Sequence, residues 1–94
     1  MMIGVTDAEW QEAYRIWLTF NDGASGEIDF YDKLVGDRRA VVRELLDLEK
    51  FAAVQVNRDT LCWDNGVDFA PEMLYEMLHR QSANFTAAPR FAFA

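Results

Sequence analysis

The chain has 94 residues, of which 51% are hydrophobic and 14% aromatic, and it carries a net charge of −7. This length and apolar content predict one small domain with a single core and exclude a disordered chain. The negative charge argues against direct binding of DNA or RNA, which requires a basic surface. Cys62 is the single cysteine and cannot form an internal disulfide, which excludes a disulfide-framed secreted module.

No targeting or membrane segment is predicted either. Residues 1–5 lack the basic start and the long apolar run of a signal peptide. No stretch of about 18 apolar residues is present, so a membrane helix is not expected. We therefore expect a cytoplasmic protein.

The first predicted element with a clear period is a strand over residues 14–20, where apolar and other residues alternate. Trp17 falls on the face opposite the core, where an exposed indole suggests a contact surface unless a helix or the C-terminal tail covers it. A turn over residues 21–23 leads to a second arm over residues 24–30. Residues 7–18 are ambiguous, because Thr6 and Glu9 have the spacing of a capping box and the segment fits a helix as well as two strands. The residues expected on the core face of the strand are Tyr14, Ile16, Leu18 and Phe20.

The middle of the chain predicts an amphipathic helix over residues 38–48, followed by a turn at residues 49–51. Strands are then predicted at residues 54–56 and 61–63, joined by a loop over residues 57–60. The apolar stripe of the helix consists of Val41, Val42, Leu45, Leu46 and Leu48.

The segment from Trp63 to Tyr75 predicts a strand end, a tight turn and a helix start. Asn65 and Gly66 tolerate the positive φ of a tight turn, and Pro71 is expected at the first position of a helix that ends near Arg80. Phe69 and Leu74 have the spacing of a hydrophobic staple. Residues 81–94 have no periodicity and form a tail that carries Phe85, Phe91 and Phe93.

These pieces together resemble the bacterial family of domains of unknown function 2442 (DUF2442) over about residues 3–78. The resemblance implies an α+β fold: a small antiparallel sheet in the order β-β-β-α-β-β-α with helices packed on one side, and a strand pair at the start. It also implies a bacterial cytoplasmic protein without an established activity, whose gene neighbourhoods suggest an antitoxin-like role. Asp64 stands where the family usually has proline, which makes the turn less rigid. The motif that carries the resemblance consists of Trp63, Asn65, Gly66, Asp68, Phe69, Ala70, Pro71, Leu74 and Tyr75.

The polar residues do not predict a catalytic, cofactor or metal site. Asp22, Asp64, Asn65 and Asp68 offer oxygen ligands, but their spacing does not match a calcium loop, and Asp68 is expected to bond backbone amides at the turn or helix entry. Cys62 and His79 alone are too few for a zinc site, and His79 is expected to face solvent near the helix end. Glu27 and Asp29 are expected to share the solvent face of their strand.

The sequence therefore predicts one domain over residues 1–80, followed by an aromatic tail over residues 81–94. We interpret it as a non-enzymatic protein-interaction module, whose partner is another protein or a second copy of the chain, without direct nucleic-acid or membrane binding. The alternative is a small-molecule or metal-ion binding domain with a site near Asp64 and Asp68. The candidate interaction surface consists of Trp17, Phe85, Phe91 and Phe93.

Overall fold

Two three-stranded antiparallel sheets alternate with helices along residues 2–85, the part of the chain that the computed structural model describes. The first sheet contains β1 (Val5–Glu12), β2 (Arg15–Phe20) and β3 (Ser25–Asp29). A helical segment follows, with α1 (Tyr31–Gly36), α2 (Ala40–Arg43), a 3₁₀ turn (Glu44–Leu46) and α3 (Leu48–Ala52). The second sheet contains β4 (Gln55–Asn57), β5 (Thr60–Cys62) and β6 (Asp68–Phe69), and α4 (Pro71–Phe85) comes last.

The predicted α+β class is confirmed, and the chain order agrees once the helical segment is counted as one unit. Two details differ from the expectation. The strands form two sheets instead of one, and β6 adds a strand that pairs with β5. β6 is only two residues long, so it leaves no alternating pattern in the sequence.

The ambiguous start of the chain is a pair of strands, as the family resemblance implied, and the helical alternative is wrong. β1 and β2 pair in antiparallel register, with Ala8 opposite Leu18 and Glu9 opposite Trp17. The hydroxyl of Thr6 donates to the carbonyl of Thr19 at 3.2 Å, so it serves the hairpin and caps no helix. As a strand, β2 places Ile16, Leu18 and Phe20 in the hydrophobic core, and the free energy gained by burying them exceeds what a local helix cap contributes.

The predicted continuous helix over residues 38–48 is wrong, because Asp47 interrupts it. Asp47 has extended backbone angles and its side chain accepts a hydrogen bond from the backbone N–H of Glu49 at 3.0 Å, so it begins a new helix. Residues 49–51, expected as a turn, belong to that helix, α3. Val42 and Leu45 of the predicted stripe are buried, whereas Leu48 is 43% exposed beyond the interruption. The preceding helix α1 was not predicted.

The last two predicted elements are close to the observed ones. β4 and β5 form a hairpin whose two turn residues, Arg58 and Asp59, have φ of 54° and 68°, the sign required by a two-residue hairpin turn. Pro71 begins α4 as predicted, and the helix continues past Arg80 to Phe85. Phe69 and Leu74, the expected staple pair, are both buried.

An aromatic cluster joins the two sheets and the helical segment. Phe30 follows β3 and lies 5.9 Å, between ring centroids, from Phe51 of α3 and 5.9 Å from Phe69 of β6. The indole of Trp63 lies 5.7 Å from Phe51 and 5.5 Å from Phe69. Rings from both sheets and from α3 therefore share one core, which fixes the sheets relative to each other.

Helix α4 covers the outer strand β3 of the first sheet. The side-chain amide of Gln81 accepts from the backbone N–H of Asp29 at 2.9 Å and donates to the Asp29 carbonyl at 3.0 Å. Gly26 provides the close approach, because a Cβ at this position would lie 2.6 Å from Cδ1 of Leu78. None of the helices in residues 2–85 combines the length and apolar character required to cross a membrane.

Candidate interaction surface

The solvent-facing side of the first sheet is centred on Trp17, as the alternation of β2 predicted. Trp17 is 42% exposed although it occupies the middle strand, and no helix within residues 2–85 covers it. Its neighbour on β1 is Glu9 and its neighbour on β3 is Glu27. We call this surface the Trp17 face, and it consists of Asp7, Glu9, Arg15, Trp17, Thr19 and Glu27.

Charges on the Trp17 face are mostly negative. Arg15 is the basic member, and its guanidinium bonds Glu27, with Nε 3.0 Å from Oε2, and Glu12 at the end of β1. Glu9 and Asp7 are exposed, and no basic side chain within residues 2–85 forms an ion pair with either of them. The sequence predicted that Trp17 is exposed but not that Glu9 lies beside it, because the pairing of Glu9 with Trp17 depends on the β1–β2 register.

The Trp63 end of the family motif has a structural role. Trp63 is 4% exposed, and its indole N–H donates to the Phe51 carbonyl at 2.9 Å. The backbone N–H of Gly66 donates to the Trp63 carbonyl at 3.0 Å, and the Trp63 N–H donates to the Val67 carbonyl at 2.9 Å. Together these bonds close the predicted turn and attach it to α3.

Asn65 and Gly66 take different parts in this turn. Gly66 has a φ of 95°, as expected, whereas Asn65 is not among the residues with positive φ, so that part of the prediction is wrong. The Asn65 side chain instead bridges two elements. Its Nδ2 donates to the Val41 carbonyl at 3.0 Å and to Glu44 Oε1 at 3.2 Å, and its Oδ1 accepts from the Val67 N–H at 3.1 Å.

Asp68 does not hold the backbone bonds that the sequence suggested. It is exposed on β6, and within residues 2–85 its carboxylate accepts no hydrogen bond. The Asn65 side chain bonds the backbone of the turn instead, because its Oδ1 accepts from the Val67 N–H two residues along the chain. Asp68 instead lies close enough to Arg39 to help raise the pKa of that guanidinium, although the bonded carboxylate of Asp37 has the larger effect.

The helix end of the motif, with Pro71, Leu74 and Tyr75, is also anchored in the fold. Leu74 is fully buried, and the ring of Tyr75 packs edge-on against Phe20, with centroids 5.1 Å apart. The Tyr75 hydroxyl donates to Asp22 in the β2–β3 turn. This bond, and after it a second bond from the Ala24 N–H, lowers the pKa of the Asp22 carboxyl. The bond to Asp22 also raises the pKa of the Tyr75 hydroxyl.

The proposed metal ligands are not assembled into a site. Asp22 bonds Tyr75, Asp64 Oδ1 accepts from Gln55 at 3.1 Å, and Asn65 bonds Val41 and Glu44. In the part of the chain that the structure describes, no three His, Cys, Asp or Glu side chains are grouped to hold a metal ion. His79 is exposed, as expected, and its Nδ1 lies 2.9 Å from the Tyr75 carbonyl. It lies in the middle of α4, so the expected position at the helix end is wrong.

Open cavities lie beside the helices of the described residues, and two of them bear on a possible ligand site. One, of about 620 Å³, lies between α1 and α4 and is lined by residues that include Lys33, Met73 and Met77. The other, of about 460 Å³, lies between the motif turn and residues 44–53, and Asp64 lines it but Asp68 does not. At the second cavity, the Trp63 indole N–H and the Asn65 amide already have hydrogen-bond partners within the protein. 

The aromatic tail cannot be placed on this surface. Phe91 and Phe93 lie outside the described residues, and Phe85 is described only as the last residue of α4. The proposed contribution of all three to an interaction surface stays a prediction. Trp17 is therefore the member of the predicted surface that the structure places.

The comparisons with known proteins agree with the resemblance seen in the sequence. A family model described as "Protein of unknown function (DUF2442)" matches residues 5–80. The chain belongs to the DUF2442 family. No curated protein and no solved structure matches it. In this DUF2442 protein the motif from Trp63 to Tyr75 therefore identifies the fold, while its side chains are engaged in internal contacts.

Proposed function

We propose that this protein is a non-enzymatic protein-interaction module of the bacterial cytoplasm, and that it contacts its partner through the Trp17 face. The observation that carries the proposal is the 42% exposure of Trp17 at the centre of a three-stranded sheet, between Glu9 and Glu27. The opposite side of the same sheet carries the buried Ile16 and Leu18, and α4 covers β3 there.

Trp17 is held rigidly and has the side-chain chemistry of an interface residue. Trp17 lies on the middle strand, so backbone pairing on both sides holds it in place, and little entropy is lost when a partner covers it. Tryptophan is also enriched among the residues that dominate binding energy in protein interfaces. The carboxylates of Asp7 and Glu9, which form no ion pair within residues 2–85, favour a partner with a basic surface.

The alternative, a small-molecule or metal-binding domain, receives less support from the geometry. Recognition of a small molecule requires polar groups that converge on a cavity and are free to bind it. At the cavity beside Asp64, the Trp63 N–H already donates to Phe51 and the Asn65 amide already donates to Val41. We therefore favour the exposed face over the cavity.

Affinity capture from the native host tests the proposal. The tagged wild-type protein, Trp17→Ala and the matched control Leu48→Ala are used in parallel, since Leu48 is 43% exposed, much as Trp17 is, but lies on α3 and not on the first sheet. We expect a protein that the wild type and Leu48→Ala retain and that Trp17→Ala loses. A toxin among the retained proteins would support the antitoxin-like role. Equal retention by all three folded variants would refute the proposal.

A further inference from the structure

Strand β1 is an open edge of the first sheet. It pairs with β2 on one side, and on the other side the β4–β5 hairpin lies near it and makes one backbone bond to it, from the Val5 N–H to the Asp59 carbonyl at 2.9 Å. From Thr6 to Glu12 the side chains are exposed, apart from the half-buried Ala8. An open edge of this kind can accept a further strand through its backbone groups.

The direction of the free backbone groups follows from β2. The Phe20 N–H donates to the Ala24 carbonyl and the Tyr14 carbonyl accepts from the Phe30 N–H, each at 2.8 Å. The even-numbered residues of β2 therefore turn their backbone groups toward β3, and the odd-numbered residues turn theirs toward β1. Residues 7 and 9 pair with these odd-numbered residues, so the N–H and C=O of Ala8 point to the open edge.

The two sides of β1 differ in chemistry. Asp7 and Glu9 lie on the same side as Trp17, whereas Ala8 and Trp10 lie on the side of Leu18 and Ile16. Trp10 is 39% exposed, because the core does not extend as far as its position. A strand added beside β1 would therefore have carboxylates next to it on one side and apolar groups next to it on the other.

We propose that β1 accepts a strand from a protein partner in which basic and apolar residues alternate. This inference rests on the proposed function and names its partner class. Basic side chains would pair across the strands with Asp7 and Glu9, and the apolar ones would pack on Ala8 and Trp10.

A second copy of the chain does not fit the same edge. Pairing of two β1 strands would bring Asp7 and Glu9 of one copy beside the same acids of the other, and like charges directly opposite each other are destabilising. The net charge of −7 adds to this repulsion. The acids thus reject self-association while they attract a basic strand, a known way of protecting an open edge.

Three synthetic heptapeptides test the proposal on the wild-type protein. The first is Lys-Val-Lys-Val-Lys-Val-Lys, the second replaces lysine by glutamate, and the third has the composition of the first with its four lysines in one block. We expect the first to bind with a Kd about tenfold or more below those of the others. Only this peptide can place lysines beside the carboxylates on one side of β1 and valines beside the apolar groups on the other. Amide hydrogen exchange should slow at Ala8 when it binds. Equal binding of the first and third peptides, or binding without slower exchange, would overturn the proposal, as would no binding.

Variants at Ala8 separate strand pairing from attraction of charge. Ala8→Pro removes the outward N–H and is compatible with an edge strand, whereas the control Ala8→Val keeps the N–H. We expect Ala8→Pro to weaken binding of the alternating lysine peptide about tenfold and Ala8→Val to leave it nearly unchanged. If Ala8→Pro does not fold, the peptide series on the wild type still decides. A native partner that is lost by Trp17→Ala but retained by folded Ala8→Pro would overturn strand addition and leave the proposed function intact.

Discussion

The side-chain bridge made by Asn65 leads to a quantitative prediction for the substitution Asn65→Ala. The amide of Asn65 holds the Val41 carbonyl and the Val67 N–H, both in partly buried bonds, at 3.0 and 3.1 Å. Alanine keeps the backbone of the turn but leaves both groups without a partner. The turn should therefore lose its attachment to α2 while Gly66 keeps its conformation.

The cost follows from the two partly buried bonds. Each contributes a net of about 0.5–1.5 kcal/mol, so the loss of both lowers the free energy of unfolding by about 1–3 kcal/mol. The third bond, to Glu44, is exposed and adds little. For a domain of this size each kcal/mol corresponds to a fall in Tm of about 4–8 °C.

Urea and thermal unfolding of the wild type, Asn65→Ala and Asn65→Asp provide the assay. Aspartate keeps the acceptor for Val67 but brings a carboxylate against the Val41 carbonyl and Glu44. Its folded-state pKa should be raised, so its deficit should be full above that pKa and should shrink as the pH falls toward about 4. A loss under about 0.5 kcal/mol for Asn65→Ala, or a pH-independent deficit for Asn65→Asp, would refute the bridging role.

Three further predictions concern the neighbouring contacts. Gly26→Ala should lower stability by about 1–3 kcal/mol in urea unfolding, since its Cβ would lie 2.6 Å from Cδ1 of Leu78, and Leu78→Ala should reduce that cost in a double-mutant cycle. Asp64→Pro should raise the free energy of unfolding by about 0.4–1 kcal/mol over Asp64→Ala, because proline presets φ in the turn, and a decrease would contradict this. Tyr75→Phe should raise the pKa of Asp22 in an NMR titration, and an unchanged pKa would contradict the bond. Because the folded-state pKa of Asp22 is lowered, its stabilising effect is present above the unfolded-state pKa and is lost as the pH falls through the folded-state value, so Tyr75→Phe should reduce stability less in acid.

Local patterns in the sequence predicted the elements that depend on near neighbours. The alternation in β2 placed Ile16, Leu18 and Phe20 in the core and Trp17 outside it, because side chains in a strand alternate whatever the strand pairs with. Pro71 marked the start of α4 because its ring suits the first helical turn. Gly66 marked the turn because few other residues adopt a φ of 95° without strain.

The features that the sequence left open depend on partners distant in the chain. Thr6 and Glu9 have a helical capping pattern, but pairing with β2 outweighs it. Asp47 divides the predicted helix by a side-chain bond that the apolar stripe does not reveal. Asn65 contacts Val41, 24 residues away, so a residue expected to act through its backbone acts through its amide.

The candidate surface shows the same division. The sequence by itself determined that Trp17 lies outside the core and that the chain is acidic, because these follow from strand period and composition. Only the tertiary structure decided that Glu9 and Glu27 flank Trp17, that α4 covers β3, and that β1 keeps an open edge. Register and edge exposure result from how strands and helices pack together, and that packing minimises the free energy of the whole chain and not of any one segment.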